Sequence, residues 1–282
     1  MTATQDLVRE PDGVTPRGGE PPTSEERARD IRRLVLEMCR GRGQGYAGQG
    51  CELADVMAVL FHDRLRRDGD ELHDRFVLST GHSAIALYAA LGTVGTYDVE
   101  QLRTYGEDGS EVEESPLETA PGFEVTGGSL GLGPSQAVGL ALGEQMRGSG
   151  RRVVCQLGDG ELQEGAVWEA FLLAGARGLG GLTFFVDRNG EQADGATADV
   201  LDVEPLLPKL RAFGLDADVV DGHDHDALRV AFDAALASDR PTCLVLDTVP
   251  GKGVPTLEAM RHVHYVRVDD DVWARALAEV TA

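Results

Sequence analysis

Residues 158–164 read GDGELQE, and thirty positions after their aspartate an asparagine stands in VDRNG at 186–190. An apolar run precedes each: RRVVCQLG before Asp159, GLTFFVD before Asn189. A carboxylate, an amide oxygen and a backbone carbonyl brought together are hard oxygen donors, the set that suits Mg2+ or Ca2+ and not zinc. Gly158 and Gly160 let the backbone come close to an anion, and a helix opening near Glu161 would aim its positive end at the same place. The pattern predicts a divalent cation anchoring a diphosphate. The chain has no G-x-x-x-x-G-K-[ST], so it is not a P-loop protein, and no G-x-G-x-x-G between a strand and a helix, which argues against a dinucleotide fold. Taken singly, GDG is an ordinary turn and Asn before Gly an ordinary left-handed turn residue. The conjunction at two strand ends is what carries the reading.

The elements that must hold these residues are legible downstream. RRVVCQLG, GLTFFVD, DADVVDG and PTCLVLDTV read as strands. They alternate with helical EGAVWEAFLLAGARG, VEPLLPKLRAFG and HDALRVAFDAALAS. Near-continuous apolar strands separated by amphipathic helices predict an α/β fold, a parallel sheet with helices on both faces. In such sheets ligands gather outside the carboxyl ends of the strands, where GDG and DRNG both fall. Upstream, Thr23 and Glu26 predict a capping box that opens the helix SEERARDIRRLVLEMCR. CELADVMAVLFHDRL has helical periodicity, and RFVLSTGHSAIALYAALG reads as strand, Gly-His turn and helix. Residues 98–124 are acidic and irregular, with helical signal only at Val99–Thr104. VTGGSLGLGPSQAVGLALGEQMR is a glycine-rich turn entering an apolar helix. The expected organisation is a disordered N-terminal segment, 1–24, polar and rich in Pro and Gly, followed by one domain, 25–282.

Composition narrows the partners. The formal charge of −22 on 282 residues argues against nucleic acid and against an anionic membrane surface. No run is long enough to span a bilayer and the N-terminus has no signal-peptide core. Cys39, Cys51, Cys155 and Cys243 are dispersed without C-x-x-C spacing, as in a cytoplasmic protein with reduced, buried thiols. Only Lys209 and Lys252 are lysines, an arginine bias attributable to codon usage. Lys252, in VPGKGVP, reads as part of a tight structural loop.

GDGELQEGAVWEA and GLTFFVDRNGEQADG closely resemble the thiamine diphosphate motif of transketolases, above all the N-terminal subunits of split, two-chain transketolases. DIRRLVLEM, RFVLSTGHSAIALYAALG, PGFEVTGGSLGLG, VDGHD and TVPGKGV extend the resemblance over most of 25–266. It implies thiamine diphosphate with Mg2+ (Ca2+ as a substitute), and Asp159, Asn189 and the carbonyl of Glu191 as metal ligands. It also implies that Gly158 and Gly160 pack near the diphosphate, and that His82 and His264 stand at the diphosphate and the substrate mouth. Gly128 and Leu130 match main-chain contacts to the aminopyrimidine, and Glu164 an acid that links to the partner half of the site. His62, His73, His223, His225 and His262 lack such context and are expected at the surface or at caps. Trp168, spaced with Phe171 and Leu172, is expected in the core.

Two positions depart from the family. Tyr46, in GYAGQG, stands where a substrate-handling histidine is expected. The second such histidine is absent from EVEESPLETAPG, where Glu114 or Ser115 lies nearest. A phenol and a carboxylate or hydroxyl offer different hydrogen-bond patterns from an imidazole, which implies an altered donor or acceptor. The resemblance implies transfer of a two-carbon ketol unit from a ketose donor, with His82, His264 and Tyr46 positioning groups or moving protons. The carboxylate that activates the cofactor would come from a C-terminal, pyrimidine-binding subunit in an α2β2-like assembly. Two alternatives stay open. One is a thiamine diphosphate enzyme that passes a two-carbon unit to a carrier-bound lipoyl or thiol, or decarboxylates an α-ketoacid. The other is a non-catalytic, cofactor-binding regulatory subunit.

Overall fold

The first helix, α1 (Ser24–Arg42), begins where the sequence places it. Thr23 accepts the Glu26 amide and the Glu26 carboxylate returns the bond to the Thr23 amide, the predicted capping box. Gly43, at φ 75°, ends it in the left-handed conformation that glycine adopts without a side-chain penalty. The computed structural model describes residues 21–68 and 71–281. Most of the expected disordered segment, residues 1–20, therefore lies outside the described residues.

Five parallel strands follow: β1 (Arg75–Leu78), β2 (Val153–Gly158), β3 (Leu182–Arg188), β4 (Asp216–Asp221) and β5 (Thr242–Asp247). Their order across the sheet is β1-β2-β3-β5-β4. β2 and β3 are neighbours in a register that pairs Gly158 with Asp187, so the loops that leave them start side by side.

Successive strand residues go to opposite faces. Val154, Phe185 and Leu244 join a core with α1, α3 (Ala84–Thr93), α7 (His225–Ala237) and α8 (Asp270–Thr281). Cys155, Phe184 and Val245 join a second core with α4 (Leu132–Arg147), α5 (Gly165–Arg177) and α6 (Leu206–Ala212). Both faces are covered over β2, β3 and β5, which is why those strands read as near-continuous apolar runs, whereas the edge strand β4, DADVVD, is largely exposed. All four cysteines are buried and free. Among the described residues no helix is long and apolar enough to cross a membrane.

Several local expectations need correcting. CELADVMAVLFHDRL is not one helix. It is divided among α2 (Ala47–Glu52), a turn of α-helix at Ala54–Ala58 and a π-helical stretch at Val59–Arg64. Residues 47–61 are buried all round, so tertiary packing on every side overrides a single amphipathic stripe. The segment after Asp159 opens as a 3-10 turn, Gly160–Gln163, and α5 starts only at Gly165. His223 and His225 are not surface or cap residues. His225 is 7% exposed, and both histidines bond the carboxylate of Asp55, which Arg32 also meets from α1. The cap of α7 is Asp224. His62 is also half-buried, bonded to Thr93. Trp168 packs against the second core and donates its indole N–H to the Leu162 carbonyl, as a core residue should.

Candidate active site

The two loop tips singled out by the sequence touch. Asp159 Oδ2 accepts the Gly190 amide at 2.9 Å and the Thr197 hydroxyl at 3.2 Å, while Oδ1 accepts the Gly160 amide at 2.8 Å. The Asp159 amide in turn donates to the Asp187 carbonyl at 3.0 Å. Gly190 makes the closing turn possible with φ 75°, a conformation that among the described residues is confined to glycines. Burial pushes the Asp159 carboxyl up to about 6, against the pull of the Gly190 and Gly160 amides and the Thr197 hydroxyl, with Asp187 adding to the rise. Asn189 spans the gap between loops: its Oδ1 accepts the Glu191 amide at 2.9 Å and its Nδ2 donates to Glu52 at 2.8 Å.

These residues open on a cavity of about 210 Å3 whose lining includes Asp159, Asn189, Glu191, His82, His264 and Leu130. His82 rides on the 3-10 turn Gly81–Ser83 that follows β1. Its ring lies 5.0 Å from that of His264, and Tyr46 lies 5.4 Å from the first and 5.7 Å from the second. Burial, with His264 adding to it, pushes His82 down to about 4, so it is a neutral imidazole at pH 7. His264 is lowered by burial too, and its Nδ1 meets the side-chain amide of Gln49. Burial raises Tyr46, as does Glu114, which keeps the phenol protonated and able to donate. Of the two residues nearest the missing second histidine, Glu114 thus acts on Tyr46, a contact the sequence did not foretell, whereas Ser115 is exposed.

The glycine-rich loop before α4 closes the cavity from another side. Gly128 has φ 110°, and a side chain on Gly81 would overlap its backbone nitrogen, so the two loops meet main chain to main chain. Glu161, which the motif analysis passed over, fastens this loop to β2. One oxygen takes the Gly131 amide at 2.7 Å and the Ser79 hydroxyl, the other the Gly158 amide at 3.3 Å. Glu164, by contrast, is exposed at the start of α5 and caps nothing with its side chain. Lys252 does not line the cavity; its carbonyl accepts from Arg32.

Glu52 and Asp187 were also missed. Both are buried beside Asn189, and burial raises both carboxyls. Gln156 accepts the Thr80 hydroxyl while its Nε2, buried at the cavity wall, has no partner. Among the described residues there is no cluster of three or more His, Cys, Asp or Glu that could hold a metal. A site built from one carboxylate, one amide and one main-chain oxygen contains no such cluster. That donor set, beside an unsatisfied buried N–H group and with Gly158 and Gly160 placed where a side chain would crowd Thr80 at 3.3 Å and Gln192 at 3.2 Å, fits a Mg2+-bound diphosphate.

Comparison with known proteins gives this arrangement its class. Residues 23–276 match the family described as transketolase, thiamine diphosphate binding domain. The chain therefore belongs to the transketolase family, and a ketol-transfer role follows from that membership. An uncharacterized transketolase family protein, y4mO, of Sinorhizobium fredii is 46% identical over 91% of this chain and 95% of its own length. The 6-deoxy-6-sulfo-D-fructose transketolase subunit SqwG of a Clostridium species is 36% identical, with the same coverage of both chains. Among solved structures, the transketolase of Campylobacter jejuni superimposes with a TM-score of 0.84 at 27% identity, over 92% of this chain and 42% of that one. The Leishmania mexicana enzyme matches with the same score at 30% identity. The chain spans about four-tenths of the solved transketolases and nearly all of the subunit-sized relatives.

Proposed function

We propose that the chain is the thiamine diphosphate-binding subunit of a two-component transketolase of the cytoplasm, active only with a C-terminal-half subunit in an α2β2-like assembly. Asp159, Asn189 and the Glu191 carbonyl would hold Mg2+, and Gly158 and Gly160 would lie against the diphosphate. Gly128 and Leu130 would meet the aminopyrimidine, and Glu164, exposed at the rim, would face the partner subunit. The observation that supports this reading most directly is the bond between Asp159 and Gly190, which joins the two loop tips that a shared cation needs. Relatives named as transketolase subunits, matched over almost their full length, support the division into two chains.

The cofactor, when bound, supplies the carbanion chemistry of ketol transfer. The chain's part is to position and to move protons. His82, neutral and half-buried, can accept or donate at the substrate oxygen, and His264, held by Gln49, can do so from 5.0 Å away. Tyr46 offers one hydroxyl where an imidazole would offer a ring nitrogen, and Glu114 gives that end of the mouth an acidic character. Both point to a donor or acceptor other than the ordinary pentose and hexose phosphates. The SqwG and apulose-4-phosphate transketolase subunits, by their names, serve unusual ketoses.

The test is to co-express the chain with a C-terminal-half subunit and assay the pair against a panel of ketoses, ketose phosphates, sulfonated ketoses and α-ketoacids. Ketol transfer that requires both subunits, Mg2+ and thiamine diphosphate is the expected result. Decarboxylation of an α-ketoacid without transfer from any ketose would overturn the proposal.

A further inference from the structure

Glu52 sits at the end of α2, fully buried, 137 residues from the asparagine it touches. It is not among the residues that line the cavity, whereas Asn189 and Asp187 are, so Glu52 acts on the site through the two side chains it bonds, Asn189 and Asp187. We propose that Glu52 is a positioning residue for the cation site: it selects the one amide orientation of Asn189 that leaves Oδ1 for the metal. The inference rests on the reading of Asp159 and Asn189 as cation ligands.

An asparagine amide is nearly symmetric in shape but not in chemistry, since one end donates and the other accepts. Glu52 also hydrogen-bonds Asp187, and its Oε1 is the acceptor left for Asn189; a flipped amide would set Oδ1 against that acceptor in a place without water. Unflipped, Nδ2 donates to Oε1 at 2.8 Å. Oδ1 then receives the Glu191 amide at 2.9 Å and keeps a second lone pair. Replacing the contact by water is not open to the protein, because Glu52 has no exposed surface. The same bond fastens the end of α2 to the loop after β3, so the ligand is fixed by an element outside its own loop. Outer partners of this kind orient the groups that touch the metal.

The experiment uses the full chain co-expressed with its C-terminal-half subunit. Mg2+ is titrated by calorimetry at saturating thiamine diphosphate, and thiamine diphosphate at saturating Mg2+. Glu52→Met keeps the volume and removes the acceptor; Glu52→Gln keeps an acceptor at the same place. The expected result is a loss of about 10- to 100-fold in Mg2+ affinity for Glu52→Met, with Glu52→Gln near the wild type. Cofactor affinity at saturating Mg2+ should change little in either, a split that general damage to the fold would not give. Unchanged Mg2+ affinity in Glu52→Met, or equal losses in both variants, overturns the proposal. Asp159→Ala, run alongside, tests the underlying reading: if it alone leaves Mg2+ affinity intact, the cation site is misplaced. Should Glu52→Met fail to fold, Asn189→Asp with and without Glu52→Gln decides. Recovery of affinity in the double variant is expected, since the glutamine amide can donate to the new carboxylate; no recovery overturns the proposal.

Discussion

The rings of His82 and His264 lie 5.0 Å apart although 182 residues separate them in the chain, one on the turn after β1 and the other in the segment before α8. Both are lowered by burial and both line the same cavity, so two neutral imidazoles face one volume. Replacing either by alanine should lower kcat by about 10²- to 10⁴-fold, the usual worth of a positioned acid or base. Cofactor affinity should stay within a few-fold for His264→Ala. Steady-state kinetics of the assembled pair checks this; a wild-type kcat in both variants would rule out a proton-handling role.

Asp159→Ala should abolish Mg2+-dependent binding of thiamine diphosphate to the pair. Besides removing the proposed cation ligand, it strands the Gly190 amide and the Thr197 hydroxyl, which now share one carboxylate oxygen. Calorimetry with and without Mg2+ reads the effect. An affinity equal to the wild type would remove the metal site from this loop.

Tyr46 stands among His82, His264 and Tyr265, each within 5.7 Å ring to ring. Tyr46→Phe keeps the packing and deletes the hydroxyl. It should lower kcat/KM for the natural ketose by about 10- to 100-fold if that hydroxyl bonds the substrate, since an unpaired buried polar group costs a few kcal/mol. Tyr46→His should broaden activity toward ordinary ketose phosphates. The measurement is kcat/KM across the substrate panel, and an unchanged ranking in both variants would place substrate recognition elsewhere.

Acid should remove two stabilising contributions in turn. His62, like His82, is pushed down to about 4, chiefly by burial. An unfolded histidine titrates near about 6.5, so the fold favours the neutral ring; that contribution is complete above this pH and is lost as pH falls toward about 4. Asp55 behaves differently. Burial works against its charge, but hydrogen bonds from His223, His225 and Arg32 hold its carboxyl far below the usual range. Its contribution is complete above the unfolded value of about 3.9 and is lost only below it. The raised carboxyls of Asp159, Glu52 and Asp187 work in the opposite sense over this range, so the histidine contribution is read as a difference: in urea melts the stability gap between the wild type and His62→Gln should narrow as pH falls from 6.5 to 4. An unaltered slope between pH 6.5 and 4 would refute the assignment.

The Asp55 cluster also predicts the largest stability loss outside the site. Asp55→Ala leaves buried Arg32 and His225, with half-buried His223, around a missing charge. A buried pair broken from one side costs about 3–5 kcal/mol, which a shift in urea midpoint would register. A loss below about 1 kcal/mol would mean the cluster is solvated in solution.

What could be read in advance was whatever local pattern encodes. The strand–helix alternation after residue 150 and the capping box at Thr23 are short-range signals, and both are found in the structure. The junction of GDG with DRNG was legible because parallel pairing puts consecutive strand ends together. Glu52, Glu161 and the Asp55 cluster were not. Glu52 meets Asn189 across 137 residues, and His223 meets Asp55 across 168. Nothing in periodicity distinguishes a buried acid with a distant partner from an exposed one. The break at Leu53 was hidden for a related reason, since a segment buried on all sides carries no stripe to show where it bends.

The meeting of Gly81 with Gly128, main chain against main chain, has a consequence for how this pocket could ever be remodelled. A side chain on Gly81 would strike the Gly128 backbone, so the turn bearing His82 cannot acquire one there unless the glycine-rich loop, the bed of the cavity, moves with it, and Gly128 is held to glycine by its own φ of 110°. Freedom to vary lies at the opposite rim, where Tyr46, Glu114 and Tyr265 meet without such a lock. A protein that needs a new sugar would be expected to redecorate that edge and leave the bed untouched.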